Sequence, residues 1–188
     1  MVVQLAKIAG LKVIASTGSD EKVNYLLKEI GVDVAFNYKT TSVDSALAKE
    51  GPIDLYWDNV GGQTLEAAVE HCKVNAKIIV CGYISEYNNE QQYGIKPETI
   101  YVLITLAAIK NFHWIFKKRL QIHGLLTPDH FTKWLNKFME EVPPLVVQGK
   151  IKTKEDLVYG LDNAAQAFVD LLQGKNLGKT VVVVSEDD

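Results

Sequence analysis

Apolar and polar positions along this chain switch repeatedly between two periods. Short β-branched runs alternate with stretches whose apolar residues recur every third or fourth position. Residues 2–8 read as a helix and residues 12–17 as a strand. Within 20–30, Val23, Leu26, Leu27 and Ile30 share a helical face, and Gly31 stops the run. Residues 32–37 are the next strand, 42–49 a short helix closed by Gly51-Pro52, and 53–59 a third strand. Gly61-Gly62 turns the chain into a helix over 63–72. Residues 76–81 are a fourth strand, apolar nearly throughout, as expected where both sheet faces are covered.

Beyond residue 84 the pattern blurs. Residues 88–92 are polar, and Pro97 opens an apolar segment that runs to Ile109. A strand is expected over 120–126. Pro128 opens a helix with Phe131, Trp134, Leu135 and Phe138 on one side, and Pro143-Pro144 is expected to end it. The tail reads as a strand over 155–158, a helix over 162–172 capped by Asp162, and a last strand over 180–184.

Strands alternating with helices at these spacings predict an α/β fold with a doubly wound parallel sheet. In the dinucleotide-binding version of that fold, a first strand and a Gly-x-Gly-x-x-Gly turn precede the first helix. This sequence opens directly on the helix. The expectation is a Rossmann-like doubly wound sheet lacking its first strand and glycine-rich loop.

Composition narrows the function. The 188 residues carry a net charge of −3, with 47% hydrophobic and 23% charged side chains, which suits a globular domain and disfavours nucleic acid as partner. The basic triplet Lys117-Lys118-Arg119 reads as a solvated helix end. Two cysteines, Cys72 and Cys81, make no disulfide framework, and the apolar run 101–109 is too short to span a bilayer. Without a secretory pattern at residue 1, a cytoplasmic location and no membrane association are expected. His71, His113, His123 and His130 show no zinc spacing, His71 reading as an exposed helix residue, so no metal is expected. No Gly-x-Ser-x-Gly elbow occurs either.

Parallel sheets bind ligands at the carboxyl ends of their strands. Small polar residues and glycines gather at four such ends: 16–19, 37–39, 59–62 and 81–87. At the tip of the strand 12–17, where an NAD site places an acid for the ribose hydroxyls, the sequence is Ala15-Ser16-Thr17-Gly18. Lys22 follows in the next helix, and Tyr38 ends the next strand. A serine, a lysine and a tyrosine can surround a dianionic 2′-phosphate, which favours NADP(H) over NAD. Taken alone, Lys22 reads as a solvated helix lysine, and Asn59 as a cap for the Gly61-Gly62 turn. Ser85 and Tyr87 add hydroxyls where a nicotinamide would lie.

Five blocks, in order, give the sequence a family likeness: Gly18-Ser19-Asp20-Glu21-Lys22-Val23, Phe36-Asn37-Tyr38-Lys39-Thr40, Asp58-Asn59-Val60-Gly61-Gly62, Cys81-Gly82-Tyr83-Ile84-Ser85-Glu86-Tyr87-Asn88, and Gly174-Lys175-Asn176-Leu177-Gly178-Lys179-Thr180. The chain resembles the zinc-independent medium-chain dehydrogenase/reductase superfamily, in particular the prostaglandin reductase and leukotriene hydroxydehydrogenase group and the NADP-dependent alkenal double-bond reductases of plants and fungi. The resemblance implies hydride transfer from NADPH to an α,β-unsaturated aldehyde or ketone, the enone or enal substrate. It implies that Ser19, Lys22 and Tyr38 face the 2′-phosphate end. Asn59, Cys81, Ser85, Tyr87, Leu125, Leu126 and Thr127 would flank the nicotinamide half, and Asn176 would reach the cofactor from the C-terminal segment. Tyr87 is the expected catalytic side chain, near the developing enolate oxygen.

The resemblance also sets a domain expectation. Residues 1–142 would be a partial NADP-binding domain with an atypical insertion over 97–110. Residues 143–188 would return toward a GroES-like catalytic domain that this sequence does not contain, so a truncated, weakly active or inactive form is expected. A homodimer through the edge of the sheet is a further expectation. Two other readings stay open: a quinone or alcohol oxidoreductase of the same superfamily, and a non-catalytic nucleotide-binding or docking fragment.

Overall fold

A computed structural model of the chain describes residues 1–86 and 111–185. In order, the elements are α1 (Val2–Ile8), β1 (Ile14–Thr17), α2 (Asp20–Tyr25), β2 (Val34–Asn37), α3 (Val43–Glu50), β3 (Ile53–Asp58), α4 (Gly62–His71) and β4 (Cys72–Val80). Then come α5 (His113–Lys118), β5 (Gln121–Gly124), α6 (Thr127–Val147), β6 (Glu155–Tyr159), α7 (Ala164–Leu172) and β7 (Lys179–Val183). Three parallel sheets result, with orders β1-β2, β3-β4-β5 and β6-β7. Within each sheet, strands consecutive in the chain lie side by side and parallel, as in either half of a doubly wound fold. The α/β, Rossmann-like class expected from the alternation is the class observed.

The chain divides into two compact units, Met1–Lys39 with Leu135–Asp188, and Thr40–Trp134. In the first unit, Val13, Val32, Ile151 and Ala167 are buried. Gln4 is buried as well, and its amide makes a two-way clamp on Lys152: Nε2 donates to the Lys152 carbonyl at 2.9 Å, and the Lys152 N–H donates to Oε1 at 2.7 Å. This clamp fixes α1 to the segment that follows α6. Lys7 and Asp33 add an ion pair at 2.8 Å, and the Asp33 carboxylate also accepts from the Val13 amide at 2.7 Å.

In the second unit the core is Val69, Cys72, Ala76, Ile78 and Leu120, with Ile53, Tyr56, Leu65, Trp114 and Ile115 packed around it. Ile78 and Val69 are fully enclosed, and each such side chain contributes about 1.5–3 kcal/mol on burial. Burial pushes the Cys72 thiol up to about 11, with Lys118 lowering it and Asp54 raising it less strongly.

Several elements differ from their sequence expectation. α6 runs on through Pro143-Pro144 to Val147. The fixed proline φ suits a helix, and both prolines fall in its last turns, so few backbone bonds are lost before Gly149 ends the run at φ 68°. The helix begun at Asp20 widens over Leu26–Ile30 into a turn of i→i+5 bonds, ended by Gly31 at φ 75°. β4 starts at Cys72, four residues before the expected Ala76, because α4 passes into it without a loop. Asp162 does not cap α7. It lies in a single 3₁₀ turn, Leu161–Asn163, and Asn163 holds the N-cap position while its Nδ2 donates to the Tyr159 carbonyl at 2.8 Å. His71 is not an exposed helix residue. It is partly covered, and its Nε2 lies 2.8 Å from Asp44 Oδ1. The segment 97–110 and Tyr87 lie outside the described residues. Among the described residues, no helix is long and apolar enough to cross a membrane.

Candidate functional site

In the first unit the site is built around the tip of β1. Thr17 pairs with Asn37, so Gly18 and Tyr38 emerge side by side. A Cβ on Gly18 would stand 2.9 Å from the Tyr38 hydroxyl oxygen, so the glycine is what lets that ring lie over the strand tip. Tyr38 is 52% exposed. Ser19 caps α2, its Oγ accepting from the Lys22 N–H at 3.3 Å, which leaves the hydroxyl proton free to donate elsewhere. The Asp20 carboxylate is engaged beside the tip by the residue that pairs with Thr17. Its Oδ1 accepts from Asn37 Nδ2 at 2.8 Å.

Beside this tip lies an open cleft of about 380 Å³, lined among others by Ser16, Thr17, Lys22, Tyr25, Asn176 and Gly178. The Lys22 ammonium donates to the Gly174 carbonyl and so ties the 174–178 turn to α2. Asn176 Nδ2 donates to the Gly178 carbonyl at 2.7 Å, and the Leu177 N–H donates to Asp156 at 3.2 Å. Gly178, at φ 126°, admits no side chain, since a Cβ would fall 2.5 Å from the Lys154 carbonyl oxygen. Lys154 also sets its ammonium 5.1 Å from the centre of the Tyr25 ring, a second cation beside the cleft. Lys22 and Asn176, 154 positions apart in the sequence, thus share one cleft wall. The charge, the capping serine and the open volume fit an anionic group.

In the second unit, register builds the site. Asp58 pairs with Val80, and Val80 with Gly124. Asn59, Cys81 and Leu125 are therefore each the first residue beyond one of three adjacent strands, about 5 Å apart in the sheet direction. The Leu125 N–H donates to the Val80 carbonyl at 2.8 Å. Leu126 follows, 63% exposed, and Thr127 opens α6. Ser85 donates its hydroxyl to the Val60 carbonyl at 2.6 Å, joining the loop after β4 to the turn after β3. The Cys81 thiol is held above its ordinary value by burial and, secondarily, by the charge of Asp58.

Ser19, Lys22, Tyr38 and Asn176 thus gather in the first unit, and Asn59, Cys81, Ser85, Leu125, Leu126 and Thr127 in the second. Sequence reasoning missed Tyr25, Lys154 and Asp58 as contributors. Tyr25 sits one helical turn after Lys22, a spacing that could have marked it. Asp58 is an acid at a strand end three positions before a glycine pair, and that too was legible.

Residues 1–139 match the model of the zinc-binding dehydrogenase family. The chain belongs to that family. It is 40% identical over its whole length to a zinc-type alcohol dehydrogenase-like protein of Schizosaccharomyces pombe, covering 50% of that protein. It is 39% identical over its whole length to an NADP-dependent 2-alkenal reductase of Nicotiana tabacum, covering 51% of it. The crystal structure of CurA from Vibrio vulnificus in complex with NADPH superposes with a TM-score of 0.84 at 33% identity, over 100% of this chain and 53% of that one. The chain spans about half the length of the curated relatives it matches. Despite the family's name, no group of three or more His, Cys, Asp and Glu side chains that could hold a metal ion occurs among the described residues. These residues do not fit a zinc site.

Proposed function

We propose that this chain is the nucleotide-binding part of an NADP-dependent oxidoreductase that reduces the carbon–carbon double bond of α,β-unsaturated aldehydes or ketones. The observation that carries the reading is the cleft beside β1, lined by Lys22 and Asn176 and, among the described residues, by no carboxylate. A dianionic 2′-phosphate there gains the full charge of Lys22, with Ser19 and Tyr38 beside the strand tip but outside the cleft lining. An NAD ribose finds no acid in that lining to accept its hydroxyls. The tobacco and Vibrio relatives, an NADP-dependent reductase and an NADPH complex by name, support the same cofactor.

Bound NADPH would supply the hydride for the double bond. The chain's own residues do the rest by orienting it. Asn59, Cys81, Ser85, Leu125, Leu126 and Thr127 edge the nicotinamide half, with Leu126 offering an apolar surface. Tyr87 is assigned to the oxygen that gains negative charge as the hydride arrives, where a donated hydrogen bond lowers the barrier. A cytosolic location follows from the same reading. So does a homodimer through β5, the outer strand of its sheet, whose four residues are all exposed.

Titrating the chain with NADPH, NADH and adenosine 2′,5′-bisphosphate tests the cofactor assignment. NADPH binds more tightly than NADH, and the bisphosphate competes. Equal affinities for the two dinucleotides would refute it. Following NADPH absorbance with an enal, a quinone and a saturated alcohol, in the whole protein that carries this chain, tests the substrate class. Only the enal should be turned over efficiently.

A further inference from the structure

Asp58 stands at the end of β3 and is fully enclosed. Its Oδ1 accepts three hydrogen bonds: from the Tyr56 hydroxyl at 3.0 Å, the Val60 N–H at 3.1 Å and the Gly61 N–H at 3.1 Å. Its main-chain carbonyl accepts two more, from the Cys81 N–H at 2.8 Å and the Gly82 N–H at 3.2 Å. One residue therefore pins the turn after β3 through its side chain and the loop after β4 through its backbone. The zipper continues with Ile84 N–H to the Asn59 carbonyl at 3.2 Å and Ser85 N–H to the Val60 carbonyl at 3.1 Å. Gly61 sits inside it at φ 72°, where a Cβ would press to 3.0 Å from Tyr83 Cβ. The turn is thus held in a shape that an ordinary loop would not keep.

The second carboxylate oxygen, Oδ2, meets no hydrogen-bond partner among the described residues. A buried carboxylate oxygen left bare costs free energy, so packing alone is a poor reason for an acid here. An apolar residue would fill the space without that cost. What it could not do is accept from two backbone amides at once.

We propose that Asp58 is a positioning residue for the nicotinamide half of the cofactor, fixing the Asn59–Gly61 turn and the Ser85 loop as one rigid edge. The proposal rests on the NADP(H) reading above. Asp58 acts only through its neighbours, because it is enclosed.

The test compares two ligands on the intact chain. Adenosine 2′,5′-bisphosphate carries only the phosphate end of the cofactor, and NADPH carries both halves. Asp58→Ala should weaken NADPH about tenfold, as expected for hydrogen bonds lost from a binding edge, and leave the bisphosphate within about twofold. Asp58→Asn keeps an acceptor at Oδ1 and should restore most of the NADPH affinity. Parallel weakening of both ligands would reduce Asp58 to a general structural role, and unchanged NADPH affinity would also overturn the proposal. If Asp58→Ala does not fold, Tyr56→Phe and Asp58→Asn decide. In Tyr56→Phe, amide exchange at Val60 and Gly61 must rise together with loss of NADPH affinity, while Asp58→Asn must leave both near the parent; faster exchange in Tyr56→Phe with undiminished affinity refutes the idea. A parent chain that binds neither ligand defeats the cofactor reading and this proposal with it. A parent that binds both, with Asp58→Ala unchanged, defeats this proposal alone.

Discussion

Replacing Lys22 with methionine removes one charge and keeps the length of the stem, so it isolates what the ammonium does. In the free chain that ammonium donates to the Gly174 carbonyl and lines the cleft together with Asn176. An ammonium has three donors, so two remain for a phosphate while the tie to Gly174 persists. A hydrogen bond to a charged group contributes about 1.5–3 kcal/mol, and each 1.4 kcal/mol is about tenfold in affinity. The cleft is open to water, which screens the charge and places the effect at the low end, about tenfold for NADPH. NADH lacks the phosphate and should bind Lys22→Met as it binds the parent.

The ratio of the two affinities is the informative quantity, because Lys22→Met also releases the 174–178 turn. Loosening that turn would move Asn176 and weaken both dinucleotides by a similar factor. Calorimetric titration of parent and variant with each ligand, at low and at physiological salt, separates the two effects. The NADPH-specific loss should shrink as salt rises. Equal losses for NADPH and NADH would mean that Lys22 serves only the turn. An unchanged NADPH affinity would remove Lys22 from the site altogether.

Other consequences concern the scaffold. Gln4→Met keeps the bulk of Gln4 but loses both bonds to Lys152, and should cost about 1–2 kcal/mol in urea unfolding with faster exchange of the Lys152 amide; a change below about 0.3 kcal/mol would contradict the clamp. Asp33 is held below its ordinary value of 3.8, first by its hydrogen bond to Lys7 and then by the Val13 amide. Its contribution is therefore complete above that pH and lost as pH falls through and below it, so Asp33→Asn should flatten the acid limb of the stability profile there. Ile78→Ala should cost about 2–5 kcal/mol, because the site is fully enclosed and cannot collapse freely. At pH 8, iodoacetamide should modify Cys81 slowly and Cys72 only once the chain is unfolded, since Cys72 is buried with its thiol raised to about 11.

The order of elements was readable because each strand and helix carries its own period. The run 77–81 is too short and too β-branched to be a helix, and Gly31 marks the end of its helix by conformation alone. What failed were places where tertiary context overrides a local signal. Pro143-Pro144 reads as a stop, but a helix loses little when its prolines fall in the last turns, and buried Val142 anchors the segment. Asp162 is a good capping residue in isolation, yet the 3₁₀ turn moves the cap one residue on to Asn163. The clamp between Gln4 and Lys152 was invisible for a different reason. A glutamine among apolar residues looks like the solvent side of a helix, and its partner is a backbone group 148 positions away.

The site followed a different logic. Residues that touch a ligand at a parallel sheet gather beyond the carboxyl ends of its strands, so locating the strands narrows the candidates. Asn59 and Cys81 were candidates on that ground, whereas Leu125 entered only by resemblance, because the pattern put it inside a strand over 120–126 and the strand ends at Gly124; the register sets the three on neighbouring strand ends. The same rule hides residues that hold the site without touching it. Asp58 lies one position inside the strand, where an acid reads as a misfit or a turn signal. The role proposed for it rests on the Val60 and Gly61 amides and the Cys81 and Gly82 amides found on its two sets of oxygens. A buried acid at a strand end, directly before a turn that needs glycine, is thus a signal in its own right. The turn's amides need an acceptor that the sheet cannot supply, and a carboxylate two or three residues back is the shortest way to supply it.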